Sequence, residues 1–313
     1  MALPLRLSGG ALASSRQRRG IDSRAMEASR NATAIADDRQ SNNDDDDDDD
    51  DDVDLDEEEK AKREATRNRK RRFHLIRHGV THMNVYLTKN PYGSRGFRDP
   101  LDFDTRLTPR GVEQARSLST KTAALFSSSN STSSSSSSFA VVVSPLTRAL
   151  QTATLAFPFL VDEAAASRGG GGSNNGGNGE GRKKTMTSLA LARERVWLSS
   201  DVGRRRSEVE PEFPHVCFQD LPQCDSPWWH GGEEAARGQV ELEPVRSFRR
   251  RVEALREVLL ERPEEDVAVV SHAGVLEALT GGRFFHNCEL VSVTGEELLS
   301  VDIVGGDWGE GGD

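Results

Sequence analysis

The chain has 313 residues, with 41 lysines and arginines against 51 aspartates and glutamates, for a formal net charge of −10. Most of that acidity is local: residues 44–52 are an unbroken run of aspartate, extended by Asp54, Asp56 and Glu57 to Glu59, and such a block repels itself and stays solvated. The rest is near neutral or mildly basic, so net charge argues neither for a nucleic-acid partner nor for an acidic folded surface. Cys217, Cys224 and Cys288 are an odd number without metal spacing, which argues against a disulfide framework, and no run of about 18 apolar residues offers a membrane span.

The first 35 or so residues are rich in Arg, Ala and Ser, with Asp22 and Glu27 as the acids. Two readings stay open: an organellar transit segment, or a solvated tail on a cytoplasmic protein, which is preferred. Three segments lack the apolar content to offset backbone ordering and are expected to be disordered: residues 1–66, the serine tract 127–138 and the Gly/Asn-rich stretch 167–184. The expected organisation is a tail over 1–66 and one domain over 67–313 with two loop insertions, which surface loops tolerate cheaply. The cluster Arg67, Arg69, Lys70, Arg71 and Arg72 abuts an apolar run and reads as a charged lead-in to a strand rather than a nuclear signal.

The ordered part alternates between strand and helix signals. Phe73–Ile76 is a strand candidate. Thr108 and Pro109 open a helix as N-cap and first residue, and Val112, Ala115 and Leu118 follow at helical spacing. Phe139–Val143 is a continuous apolar run suited to a strand covered on both faces. Ser144-Pro145 starts the next helix by the same capping logic, with Leu146, Ala149, Leu150 and Ala153 as its inner stripe. Leu189–Val196 is a further strand candidate. Pro244 begins a long helix with Val245, Phe248, Val252, Leu255 and Leu259 on one face. Val267–Val270 is a buried-type strand, followed by an apolar helix through Leu279, and one or two closing strands are expected near 289–304. This order predicts a three-layer α/β/α sandwich with a mostly parallel central sheet.

Three strand-to-helix junctions share one design. Arg77-His78-Gly79 ends the first strand, with Asn84 close behind. Arg148 stands in the first turn after Val143-Ser144-Pro145. His272 ends the strand Val267–Val270 in Ser271-His272-Ala273-Gly274. In a parallel sheet these junctions share one edge, where open α/β folds bind ligands. Two guanidiniums and two imidazoles would converge there, joined by the free N–H groups of helix N-termini. That set suits a dianion, with a phosphate monoester as the obvious candidate, and requires no metal or cofactor.

These motifs, together with Asp104, Leu107-Thr108, Gly111, Gln114-Ala115 and the run Ser144 to Ala153, resemble the histidine phosphatase superfamily, which includes cofactor-dependent phosphoglycerate mutases. The resemblance implies a nucleophilic His78 that becomes a phosphohistidine. It also implies that Arg77, Arg148 and His272 hold the phosphoryl oxygens with Asn84 assisting. Glu194, in Leu191-Ala192-Arg193-Glu194-Arg195, is the candidate acid, with Glu208, Glu210 and Glu212 as rivals. His82 is read as a loop residue at the pocket rim, and Trp228-Trp229 as packing or lid structure that shapes the substrate entrance.

Val80 stands where the mutases carry a glutamate, the loop Val85–Phe103 departs from theirs, and Asp201-Val202-Gly203-Arg204 follows Glu194. A phosphatase for a small phosphorylated metabolite is therefore the preferred expectation. A mutase and a non-catalytic phosphate-binding descendant are the alternatives. No nucleic-acid or membrane partner is expected, and oligomeric state is left open.

Overall fold

A computed structural model of the chain describes residues 71–130, 139–161 and 186–303, together with isolated positions between 59 and 70. Among these residues, five strands form one sheet: β1 (Arg72–Arg77), β2 (Phe139–Val143), β3 (Met186–Ser188), β4 (Asp266–Ser271) and β5 (Leu290–Thr294). Their order is β3-β2-β4-β1-β5. The first four run parallel, and β5 is antiparallel to β1 at the edge.

Parallel neighbours need crossovers, and the chain supplies helices for them. In chain order these are α1 (His82–Lys89), α2 (Pro109–Ser117), α3 (Ser119–Asn130), α4 (Thr147–Ala156), α5 (Arg206–Val209), α6 (Gly232–Ala236), α7 (Val245–Leu260), α8 (Ala273–Leu279) and α9 (Gly295–Ser300). The two faces of the sheet divide by strand alternation. Val141, Val143, Ala268 and Val270 pack with Leu146, Leu150 and Ala153 of the α4 region. Val142, Val267 and Val269 point the other way and pack with Phe248, Val252, Leu255 and Leu259 of α7 and Leu276 of α8. This is the expected three-layer sandwich, and its central strands carry no exposed face.

Register is what positions the site. Ile76 and Val143 both pair with Val270, and Arg77 pairs with Ser271. The carboxyl ends of β1, β2 and β4 are therefore level, and the residues that follow them emerge side by side. The amide of His78 still donates to Ser271 O at 3.0 Å and that of Ser144 to Val270 O at 3.0 Å, so both junctions are held to the sheet.

Several sequence expectations are corrected. The strand placed at Leu189–Val196 ends at Ser188, and a 3-10 turn over Ala190–Ala192 replaces it. The reason is side-chain capture: Arg251 donates to the carbonyls of Leu191, Arg193 and Glu194, and the Val196 amide donates to Glu243, so these backbone groups have no need of a neighbouring strand. The helix placed at Ser144-Pro145 begins at Thr147, because the Ser144 hydroxyl is taken by His272 and by the Leu146 amide. After β5 the chain forms α9 instead of a second strand, since Thr294 and Glu297 make a reciprocal capping box. Helix α3 runs into the first four residues of the serine tract. The remainder of that tract, the stretch 167–184 and nearly all of 1–66 lie outside the described residues. No described helix is long and apolar enough to cross a membrane.

Candidate active site

The loop that carries Arg77-His78-Gly79 is braced from below. The Val80 amide donates to Gln114 Oε1 at 3.1 Å, and the Thr108 amide and hydroxyl both donate to Val80 O. Two glycines let the backbones meet: a Cβ on Gly79 would sit 2.6 Å from Gly111 O, and one on Gly111 would sit 2.1 Å from Val80 O. Thr152 ties this loop to α4, because its hydroxyl donates to Arg148 O at 2.7 Å and accepts from the Gly79 amide at 3.1 Å. The nucleophile candidate and the arginine turn are thus held by one side chain.

His78 is buried, 4% exposed. Its Nδ1 lies 2.8 Å from Gly79 O. A carbonyl only accepts, so Nδ1 carries the proton and Nε2 presents a bare lone pair. Burial, reinforced by the charges of Arg148 and Arg77, pushes the imidazole well below its ordinary pKa, which keeps it neutral. A neutral imidazole with an uncommitted Nε2 is a nucleophile ready for use.

Arg148 is 3% exposed and three of its donors are committed. Nε–H donates to His272 Nδ1 at 3.2 Å, Nη1 to Ser200 O at 2.6 Å and Nη2 to Asp201 Oδ1 at 2.8 Å. One N–H on each terminal nitrogen is left over, and the two form a fork suited to an anion. The turn that carries Arg148 is anchored by Asp104, which accepts from the Thr147 amide at 2.8 Å and from the Thr147 hydroxyl, and pairs with Arg204 at 2.9 Å.

His272 is fully buried, with its ring centroid 5.1 Å from that of His78. Its Nδ1 accepts from Arg148, so its proton is on Nε2, which donates to Ser144 Oγ at 2.7 Å. Burial first, then the charge of Arg148, lowers its pKa well below the ordinary value. In this arrangement His272 touches the anion position through Arg148.

A cavity of about 270 Å³ opens over these groups. Arg77, His78, Asn84, Arg148 and Glu194 all line it, and His272 stands behind it. Arg77 places Nη1 on Phe285 O at 2.6 Å, and its buried Nε has no partner among the described residues. Asn84 spends Oδ1 on the Thr81 amide at 3.1 Å, which leaves its NH2 for an anion.

Glu194 accepts from the Arg195 amide at 2.9 Å and from the Gly274 amide at 3.3 Å. Burial, then the neighbouring Asp201 carboxylate, raises its pKa to about 7 against the pull of those amides and of Arg148. Its three rivals serve elsewhere: Glu208 caps α5, Glu210 pairs with Arg206, and Glu212 pairs with Arg106 and Arg204.

Other expectations fail. His82 is the exposed first residue of α1 and does not line the cavity. Trp228 and Trp229 are core residues, as the packing reading expects, with Trp228 Nε1 donating to Arg204 O; neither lines the cavity, so the lid and entrance readings fail. Asp201, read in the sequence only as part of the segment that follows Glu194, pairs with Arg148, a partnership that no motif signals. Glu243, which organises the Glu194 segment, was missed as well, because it stands in no motif.

The model of the histidine phosphatase superfamily (branch 1) matches residues 216–289, a segment that includes β4 and His272. Over that segment the chain is similar to the histidine phosphatase superfamily. Solved structures similar to this chain include a putative alpha-ribazole-5'-P phosphatase from Escherichia coli K-12, at 21% identity over 71% of this chain and 89% of that one, with a TM-score of 0.38. The alpha-ribazole phosphatase from Shigella flexneri matches at 22% identity over 71% and 89% of the two chains, with a TM-score of 0.37. A phosphoglycerate mutase from Thermus thermophilus matches at 19% identity over 74% and 96%, with a TM-score of 0.33. Comparison with curated proteins yields no match.

Proposed function

We propose that the chain is a phosphatase that hydrolyses a small phosphorylated metabolite through a phosphohistidine on His78. The observation that carries this reading is the His78 tautomer: Nδ1–H is spent on Gly79 O, and Nε2 is the free, neutral lone pair beside two guanidiniums.

In the first step Nε2 attacks phosphorus. The P–N bond forms as the P–O bond to the alcohol breaks, and protonated Glu194 gives its proton to the departing alkoxide. Arg77, Arg148 and the Asn84 amide hold the three peripheral oxygens, where charge is spread in the transition state. His272 keeps Arg148 oriented. In the second step the Glu194 carboxylate takes a proton from water as its oxygen attacks phosphorus. The P–N electrons return to Nε2, and inorganic phosphate leaves. Positioning and charge stabilisation supply the catalysis, and no step uses a metal.

The test is a screen of phosphorylated metabolites that follows phosphate release and isomerised product in parallel. Phosphate release that disappears in His78→Ala, with no isomer, is the expected result. An isomer as main product would make the chain a mutase. Full activity in His78→Ala would remove the proposed nucleophile.

A further inference from the structure

The cavity is far larger than a phosphate. A water-sized occupant takes about 10–15 Å³ of such space, so the phosphate group of a monoester fills a minor share of the 270 Å³. Thr81, Thr105, Ser200 and Asp201 add polar groups to the lining, but its larger side chains away from the phosphate groups are mainly apolar or aromatic. Tyr92 and Trp197 meet edge to face with ring centroids 5.2 Å apart, and Met83, Leu87 and Leu198 continue the surface. Tyr92 is supported by Phe97 at 5.3 Å and is itself 54% exposed, so an aromatic face stands open at the mouth.

Beyond Arg77 and Arg148, the cation in the lining is Arg195. It lies over the Trp197 ring at 5.1 Å and spends Nε on Glu243 O at 2.7 Å, so it serves as a platform beneath the indole. A carboxylate on the alcohol portion has the terminal N–H groups of Arg195 to pair with but shares the lining with the Glu194 and Asp201 carboxyl groups, whereas an apolar portion buries surface against the aromatic wall.

Resting on the phosphatase reading, we propose that the alcohol portion of the substrate is an apolar alkyl or aryl group, seated against Tyr92, Trp197 and Leu87.

A homologous series of primary alkyl phosphates from ethyl to hexyl tests this, because the leaving alkoxides differ little in basicity and the slope reports burial. The expected result is a rise in kcat/KM of roughly fourfold per methylene, the equivalent of burying one CH2. Tyr92→Ala and Trp197→Ala should each lower the hexyl-to-ethyl ratio by roughly tenfold. Tyr92 is exposed enough that its variant folds. A flat series, an unchanged ratio in both variants, or a preference for 3-phosphoglycerate over hexyl phosphate overturns the proposal. Calorimetric titration with ethyl- and hexylphosphonate reads the same preference without turnover. If no ester is hydrolysed, the phosphatase reading fails, and the calorimetry alone decides the apolar subsite.

Discussion

Arg148 Nε and His272 Nδ1 are 3.2 Å apart and both side chains are buried, so the hydrogen bond between them sets the tautomer of the second imidazole and the plane of the guanidinium together. Lysine at 148 keeps the charge but loses the planar fork and the Nε donor. We expect Arg148→Lys to lower kcat/KM by roughly 10²-fold or more, the scale of one preorganised donor to a developing charge. Steady-state kinetics on any hydrolysed ester checks it; a loss under threefold would remove Arg148 from the phosphoryl site.

Glu194 is the group whose pH behaviour should be visible. Its pKa of about 7 means that the acid form is lost above neutrality, so kcat/KM should fall as pH rises through 7, and Glu194→Gln should lack that limb. The variant should lose roughly 10²–10⁴-fold on alkyl phosphates and much less on p-nitrophenyl phosphate, whose leaving group needs no proton.

The same shift predicts an effect on stability. The folded pKa lies above the ordinary 4.5, so the folded protein keeps a proton that the unfolded chain releases, and the stability this contributes disappears as pH rises from about 4.5 through 7. Glu194→Gln should therefore raise Tm at pH 8 relative to wild type and leave it nearly unchanged at pH 4. Equal Tm differences at both pH values would contradict the raised pKa.

Gly274 leaves room for that carboxylate. A Cβ at 274 would lie 2.7 Å from Glu194 Oε1, the movable end of a side chain, so alanine displaces the acid before it disturbs the backbone. Gly274→Ala should cut kcat on alkyl phosphates by roughly tenfold to a hundredfold, with Tm little changed. Wild-type kcat in this variant would show that Glu194 tolerates displacement.

Glu243 is buried between Arg193 and Arg251, with contacts of 2.8 and 2.9 Å. Removing it strands two guanidiniums, and Glu243→Ala should cost about 3–5 kcal/mol in denaturant unfolding. Although burial alone would raise its pKa, the hydrogen bonds and charges of the two arginines hold it below the ordinary range. Its contribution is therefore present above about pH 4.5 and lost as acid protonates it at the lower folded value. A variant that matches wild-type stability at pH 7 would contradict this account.

Much of the fold was legible in the residues. The valine runs at 139–143 and 267–270 signal strands covered on both sides, and the α7 stripe from Phe248 to Leu259 signals a helix with one buried face. The Thr108 cap and Pro109 start were readable because they are local chemistry. The failures were places where a distant side chain overrode a local signal. Leu189–Val196 has strand composition, yet Arg251 and Glu243, some fifty residues later, take its backbone groups. Ser144 has the chemistry of a cap, yet His272 takes its hydroxyl.

Taken alone, the order of residues determined the sandwich, the three junctions and the short list of groups able to meet an anion, since hydrophobic period and end-of-strand position are properties of neighbours along the chain. Tertiary structure decided which nitrogen of His78 is free, that Asp201 pairs with Arg148, that Glu194 rather than Glu208, Glu210 or Glu212 faces the cavity, and that Trp197 rather than Trp228 lines it. Those outcomes depend on desolvation and on hydrogen-bond partners remote in the chain, which exist only after the sheet has brought its carboxyl ends level.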